Sequence, residues 1–146
     1  MAKIVAVCTS EKVGTRKKDV REGFLKEDHG LLGDSHAHDG WHRQLSLLSM
    51  TSIEKMRKLG AKVGPGDFAE NLTVEGDELV LFKLPIGQRL KLGDGIVLEV
   101  TQIGKICHDH CEIFKQVGTC VMPHEGIFTR IIKGGYVKAG DEIDVI

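Results

Sequence analysis

Nothing in this chain is long and apolar enough to cross a bilayer. Its apolar stretches, such as Leu79 to Phe82, fall far short of the roughly 20 residues that a spanning helix needs. Charge of one sign is also missing. Lys and Arg number 20 against 21 Asp and Glu, a net charge of −1, so the sequence carries no electrostatic footprint for nucleic acid or for an anionic membrane. The first residues, Met1-Ala-Lys-Ile-Val-Ala-Val, have no basic segment leading into an apolar one and read as a strand rather than an export signal. A cytoplasmic location is the default expectation. Proline is scarce, at 3 residues against 18 glycines. Glycine at that level, scattered between short apolar runs, predicts many tight turns and the texture of a barrel or sandwich.

What remains is ordinary for a globular protein, with 41% apolar and 28% charged residues. A length of 146 residues suits a single domain, residues 1–146, with one core. Alternation and β-branched residues predict strands over Lys3 to Thr9, Gln44 to Ser49, Asn71 to Val74, Leu79 to Phe82, Gln88 to Leu92, Ile96 to Gln102, Ile127 to Ile132 and Glu142 to Ile146. Gly23 to Lys26 is a further short strand candidate, and Asp109 to Gln116 a short helix candidate. The clearest helix is Thr51 to Leu59, capped by Ser49 or Thr51 and closed by Gly60, with Ile53, Met56 and Leu59 on its buried face. Glu11 to Asp19 reads as a mobile basic loop, and His29 to Trp41 as an ordered one. Gly87 to Val97 echoes Gly135 to Val145. Both read as strand, Gly-Asp turn, strand, which predicts two similar hairpins.

Four segments carry residues suited to chemistry. Cys107-His-Asp-His-Cys111, with Cys120 nine residues on, groups three of the four cysteines. In a reducing compartment these are thiols or metal ligands rather than disulfides. Thiolates serve equally as nucleophiles and as soft-metal ligands. The spacing of Cys107 and Cys111 fits zinc, for which Cys120 with His124, or His36 with His38, would complete a set. Cys8, in a strand pattern, reads as a small core residue. Gly33 to Arg43 offers Asp34, three histidines and the donor fork of Arg43, suited to phosphate or carboxylate; a polar surface loop over Trp41 is the plain alternative. In Pro65 to Leu72, a buried Glu70-Asn71 pair would orient a loop through bonds to backbone, or line a pocket. In Met122 to Arg130, His124 and Glu125 would serve as acid and base and Arg130 as an anion clamp, or the segment is a turn before a strand.

Taken in order, these pieces resemble the MOSC family, named for the C-terminal domain of molybdenum cofactor sulfurases. The resemblance rests on Gly33-Asp-Ser-His, Arg43-Gln-Leu-Ser-Leu-Leu, Gly66-Asp-Phe-Ala-Glu-Asn-Leu and Ile86-Gly-Gln-Arg-Leu-Lys-Leu-Gly-Asp. A strand running into Cys107 and Gly134-Gly-Tyr-Val-Lys-Ala-Gly-Asp complete it, over about residues 30 to 142. It implies a mainly β fold, a closed or nearly closed barrel of the pyruvate-kinase-barrel kind with a few short helices. It also implies a sulfur-carrying or molybdenum-ligating cysteine, for which Cys107 holds the matching position. Cys111 and Cys120 are additional candidates for the reactive thiol. Asp34, His36, Arg43, Glu70, Asn71 and Arg130 are the implied cofactor-binding residues, and the molybdenum cofactor (molybdopterin) the implied cofactor. No pyridoxal phosphate is expected in this chain. The implied activity is sulfur transfer through a cysteine persulfide. The implied partners are a sulfur donor such as a desulfurase, and molybdenum-cofactor enzymes or biosynthetic proteins. The competing expectations are a zinc-stabilised β domain and a partner-binding scaffold without catalysis.

Overall fold

The computed structural model describes residues 2–12, 16–76, 78–104 and 122–146, the side chains of residues 122 and 123 excepted. The described elements are β1 (Lys3–Thr9), β2 (Lys18–Asp19), β3 (Glu22–Lys26), β4 (Gly30–Leu31), β5 (Leu45–Ser49), α1 (Met50–Lys58), β6 (Leu72–Glu75), β7 (Arg89–Leu92), β8 (Ile96–Ile103), the single turn α2 (Met122–Glu125), β9 (Ile127–Lys133), β10 (Gly135–Lys138) and β11 (Ile143–Val145). The protein is mainly β. Eight strands form one curled sheet in the order β11-β7-β8-β9-β5-β6-β1-β2, and a second sheet has the order β10-β3-β4.

The pairing follows from connection length. β7 and β8 are joined by the Gly93 turn and pair as an antiparallel hairpin. β5 and β6 pair in parallel, which a tight turn cannot achieve, and α1 with the segment after it supplies the crossover. Alternation along β5 then splits the apolar residues. Leu45 and Leu47 enter the main core inside the curl, with Ile4, Val7, Leu72, Leu90, Leu98 and Ile127. Leu48 points to the other face, where Ile53 and Met56 of α1, Val63, Phe68 and Phe128 form a second cluster. The helix is held as its sequence requires. Ser49 caps it, its hydroxyl accepting from the Thr51 amide at 3.2 Å, and Gly60 follows with φ +100°.

Several expectations are corrected. The sheet is a curled half-barrel, not a closed barrel. Between β1 and the β11 end there is one isolated bridge, Lys3 to Glu142, with backbone bonds clustered around it. A three-residue β11 offers too few groups to complete a seam. Leu79 to Phe82 is not a strand; Leu81–Lys83 forms a 3-10 turn. Four apolar residues hold too little periodicity to separate the two. Leu59 is 57% exposed rather than buried, because the helix ends there and Ala61 and Val63 reach the cluster instead. The second Gly-Asp segment is not a hairpin: β10 pairs with β3 and β11 with β7, so Gly140-Asp141 turns the chain from one sheet to the other. The Glu11 to Asp19 loop is anchored at its far end, where Lys17 is buried and β2 pairs with β1. The predicted helix over Asp109 to Gln116 lies outside the described residues. Among the described residues, no helix is long and apolar enough to cross a membrane.

Candidate functional site

The end of β1, the loop after β4 and the segment before β6 meet around a buried polar network. At its centre the Lys17 ammonium donates to Asp34 Oδ1 at 2.6 Å, and both side chains are fully shielded from solvent. Lys17 Nζ also donates to Ser10 Oγ at 3.1 Å and lies 2.9 Å from His36 Nδ1. Because a lysine ammonium has protons to give and no lone pair, it fixes His36 Nδ1 as the acceptor. Asp34 takes two backbone amides as well, Ser10 at 3.1 Å and His36 at 3.0 Å. Burial alone would raise the Asp34 carboxyl. The side-chain contacts of His36 and Lys17, the Lys17 charge and the nearby Asn71 amide outweigh it and hold the group well below the usual carboxylate range.

Asn71 and Glu70 extend the network beneath the 64–70 loop. Asn71 Oδ1 accepts from the Ser46 amide at 3.0 Å and from the Ser46 hydroxyl at 3.2 Å, and its Nδ2 donates to the Cys8 carbonyl at 3.1 Å. One side chain thus clamps β1 to β5. Glu70, fully buried, accepts from the Phe68 amide at 3.2 Å and the Thr73 hydroxyl at 2.9 Å. Burial pushes its carboxyl up to about 7, against the hydrogen bonds from Gly66, its own amide, Thr73 and Phe68. Their described contacts are with the fold itself, the loop-orienting alternative of the two set out for this pair. Cys8 is buried beside them. Burial pushes its thiol well up, with the Glu70 and Asp19 charges adding, which makes it a packed residue rather than a nucleophile.

Gly66 is what lets the loop close on this network. It has φ +88°, and a Cβ there would stand 2.2 Å from the Lys17 carbonyl oxygen and 3.2 Å from Cys8 Sγ. Its own carbonyl accepts from the Lys17 amide at 2.7 Å. Gly66→Ala is expected to lower folding stability by about 2–4 kcal/mol, combining positive-φ strain with a backbone clash. Urea denaturation checks it; a loss under about 0.5 kcal/mol would show that the loop yields freely.

A second group stands at the outer ends of β5, β8 and β9. The Arg43 guanidinium lies over the Phe128 ring, 5.3 Å from its centroid, and its Nε donates to Gln102 Oε1 at 2.9 Å. His42 Nε2 meets the same oxygen at 3.0 Å, and the Thr101 hydroxyl donates to the His42 carbonyl. Gln102 is turned by its own amide, which donates to the Gly104 carbonyl at 2.8 Å. Beyond Gly104 the chain continues toward Cys107 in sequence. Arg130 is engaged differently. Its Nε and Nη2 reach Asp28 Oδ1 at 2.7 and 2.6 Å, and Gln44 Nε2 donates to the same oxygen at 3.0 Å. These two partners, Gln44 first, lower the Asp28 carboxyl from its ordinary value. Glu125 accepts from the Ser52 hydroxyl at 2.6 Å and pairs with Lys55 at 2.7 Å, which pins α2 to α1; His124 is exposed.

The predicted residues therefore fall into two groups. Asp34, His36, Glu70 and Asn71 share the buried network. Arg43 stands just before β5 and Arg130 midway along β9, with separate partners. Cys107, Cys111 and Cys120 lie outside the described residues. Among the described residues, no three His, Cys, Asp or Glu side chains group as a metal site. The sequence reading missed Lys17 and Gln102. A buried lysine leaves no local signal, but Gln102, a polar residue ending a strand before the cysteine segment, was a findable one. An open cleft around Gly134 and Gly135, lined by Asp94, Lys133 and Tyr136, contains none of the predicted residues.

A curled sheet with this network at one end defines a recognisable class. The MOSC domain family model matches residues 34–144, most of the chain, and the chain belongs to that family. Solved structures share the fold. The YuaD protein from Bacillus subtilis aligns with a TM-score of 0.79 at 19% identity, covering 99% of this chain and 96% of that one. YiiM from Geobacillus stearothermophilus gives 0.70 at 16% identity, covering 100% and 75%. YiiM from Escherichia coli gives 0.65 at 20% identity, covering 100% and 70%. Identities this low speak for the fold alone. A search among curated proteins gives no match.

Proposed function

We propose that this MOSC domain binds the molybdenum cofactor and carries sulfur, with Cys107 as the accepting thiol and Arg43 holding the cofactor's anionic end. One observation carries the reading. Arg43 is half-buried on an aromatic face and fixed by a neutral amide, and among the described residues no carboxylate pairs with it, so there its charge is positioned but not cancelled. A desolvated, uncompensated guanidinium is a receptor for phosphate. The residues present fit that end of the cofactor. Arg130 fits less well, because Asp28 already meets its charge. The cofactor, when bound, supplies a metal centre able to take a sulfur ligand.

The chain's own part is a sulfane transfer. The Cys107 thiolate attacks the terminal sulfur of a donor persulfide. A new S–S bond forms at Cys107 as the donor's S–S bond breaks, and the donor leaves as a thiolate, so no outside oxidant or reductant is needed. A desulfurase carrying a persulfide would serve as donor. A molybdenum-cofactor enzyme or biosynthetic protein would receive the product, in the cytoplasm.

Anaerobic mass spectrometry after incubation with a persulfide donor tests this. The expected result is a gain of one sulfur in the wild type and none in Cys107→Ala, each with native circular dichroism. An equal gain in Cys107→Ala would remove Cys107 from the role.

A further inference from the structure

We infer that Gln102 is the positioning residue of an anion-binding group formed by Arg43 and His42, and that its lack of charge is what leaves that group able to take a phosphate-class oxyanion. The inference rests on the reading of Arg43 given above and adds two residues to it, one of which neither reacts nor binds.

The hydrogen bonds allow only one orientation of the amide. The Gly104 carbonyl can only accept, so it takes a proton from Gln102 Nε2 at 2.8 Å. That leaves Gln102 Oε1 facing Arg43 Nε, which can only donate, at 2.9 Å. The same oxygen faces His42 Nε2 at 3.0 Å, so Nε2 carries a proton toward it, and in the neutral ring this leaves Nδ1 as the lone pair. A single carbonyl oxygen therefore sets the rotamer of the cation and the tautomer of the imidazole. Among the described residues Arg43 spends only Nε on a hydrogen bond, and the Phe128 face at 5.3 Å holds the plane of the guanidinium. Its two terminal amino groups remain as a fork for two oxygens of one anion. The neutral His42 ring offers Nδ1 as an acceptor, which suits the hydrogen-bearing oxygen of a monohydrogen phosphate.

The choice of an amide matters. Several other cations are met by carboxylates, among them Lys17 by Asp34, Lys55 by Glu125, Arg89 by Glu99 and Arg130 by Asp28. A carboxylate at position 102 would accept the same two protons, though it would lose the donor that meets the Gly104 carbonyl. It would also cancel the charge that attracts the ligand. Position thus comes from hydrogen bonding and affinity from the charge left over, and the two can be separated by mutation.

Trp41 is the one tryptophan of the chain and its ring lies 4.9 Å from the His42 ring, so its fluorescence reports the site. The experiment titrates the full chain with inorganic phosphate at low salt, with calorimetry alongside. Wild type is expected to bind, and Arg43→Ala to bind at least about tenfold more weakly. Gln102→Met, which keeps length and loses the acceptor, should weaken binding by about tenfold. Gln102→Glu should weaken it further while its melting temperature stays equal to or above that of Gln102→Met, which loses the same Gly104 bond, a divergence that a merely structural role does not produce. Arg89→Gln, which removes an equal charge elsewhere, should leave binding unchanged. If Gln102→Glu binds as the wild type does, the neutral-anchor inference is overturned. Wild-type binding by Gln102→Met removes the positioning role. Failure of the wild type itself to bind, or equal binding by Arg43→Ala, overturns the underlying reading of Arg43 instead.

Discussion

Asp34→Ala should lower the free energy of unfolding by about 3–5 kcal/mol, a large part of the 5–15 kcal/mol typical of a domain. The cost arises from what is left behind. Lys17 Nζ would keep only Ser10 Oγ and His36 Nδ1, and its side chain has no exposed surface through which water could replace the carboxylate. The Ser10 and His36 amides would lose their acceptor too. Urea denaturation at pH 7 measures the loss. The double variant Lys17→Met/Asp34→Ala separates the pair's own contribution from the penalty of an orphaned charge, since apolar replacement of both partners of a buried ion pair is often near neutral. The double variant is therefore expected to recover much of the loss. A loss below about 1 kcal/mol in Asp34→Ala would mean that the pair is solvated and energetically a surface bridge.

Glu70→Gln should remove a decline of stability across the neutral range. Glu70 is raised from 4.5 to about 7 in the folded state. Between those values the folded protein holds a proton that the unfolded chain has released, so stability falls as pH rises. The contribution is fully present below about 4.5 and gone above about 7, and amounts to about 3 kcal/mol from the shift. Asp34 acts in the opposite sense. Its carboxyl is lowered, so its contribution is present above its unfolded value of 3.8 and is lost as pH falls below it. The joint contribution of these two groups is thus greatest between their unfolded values of 3.8 and 4.5 and declines toward neutral pH. Denaturant midpoints from pH 4 to 8 test this. Glu70→Gln should lie flatter and exceed the wild type at pH 8. A wild-type curve that is level from pH 5 to 8 would show that Glu70 is ionised throughout.

How much of this was legible in the sequence depended on how local the information is. β1, β5, β8 and α1 were readable because alternation or capping residues sit within a few positions of one another. β2 and β4 were not, because two residues carry no period, and they exist only through pairing with β1 and β3. The Gly140-Asp141 turn was readable as a turn, but its two strands join different sheets, and no short-range pattern encodes a partner. The same division holds at the site. Asp34, His36 and Arg43 stand out in one loop. Lys17 and Gln102 gain their roles from chain separations of 17 and 59 residues, created by sheet register rather than by any motif. Arg130 matched its motif, yet Asp28, 102 residues away, takes up its charge.

The place of β9 in the sheet order sets a timetable for synthesis. β9 (Ile127–Lys133) lies between β5 and β8, both made earlier. At about 5–20 residues per second, β5 must wait on the order of ten seconds for its second neighbour. During that interval the growing chain carries two unzipped strand borders on the ribosome, each able to template a wrong pairing. A strand made late thus seals the middle of the large sheet, and only the two after it, β10 and β11, are added at a rim.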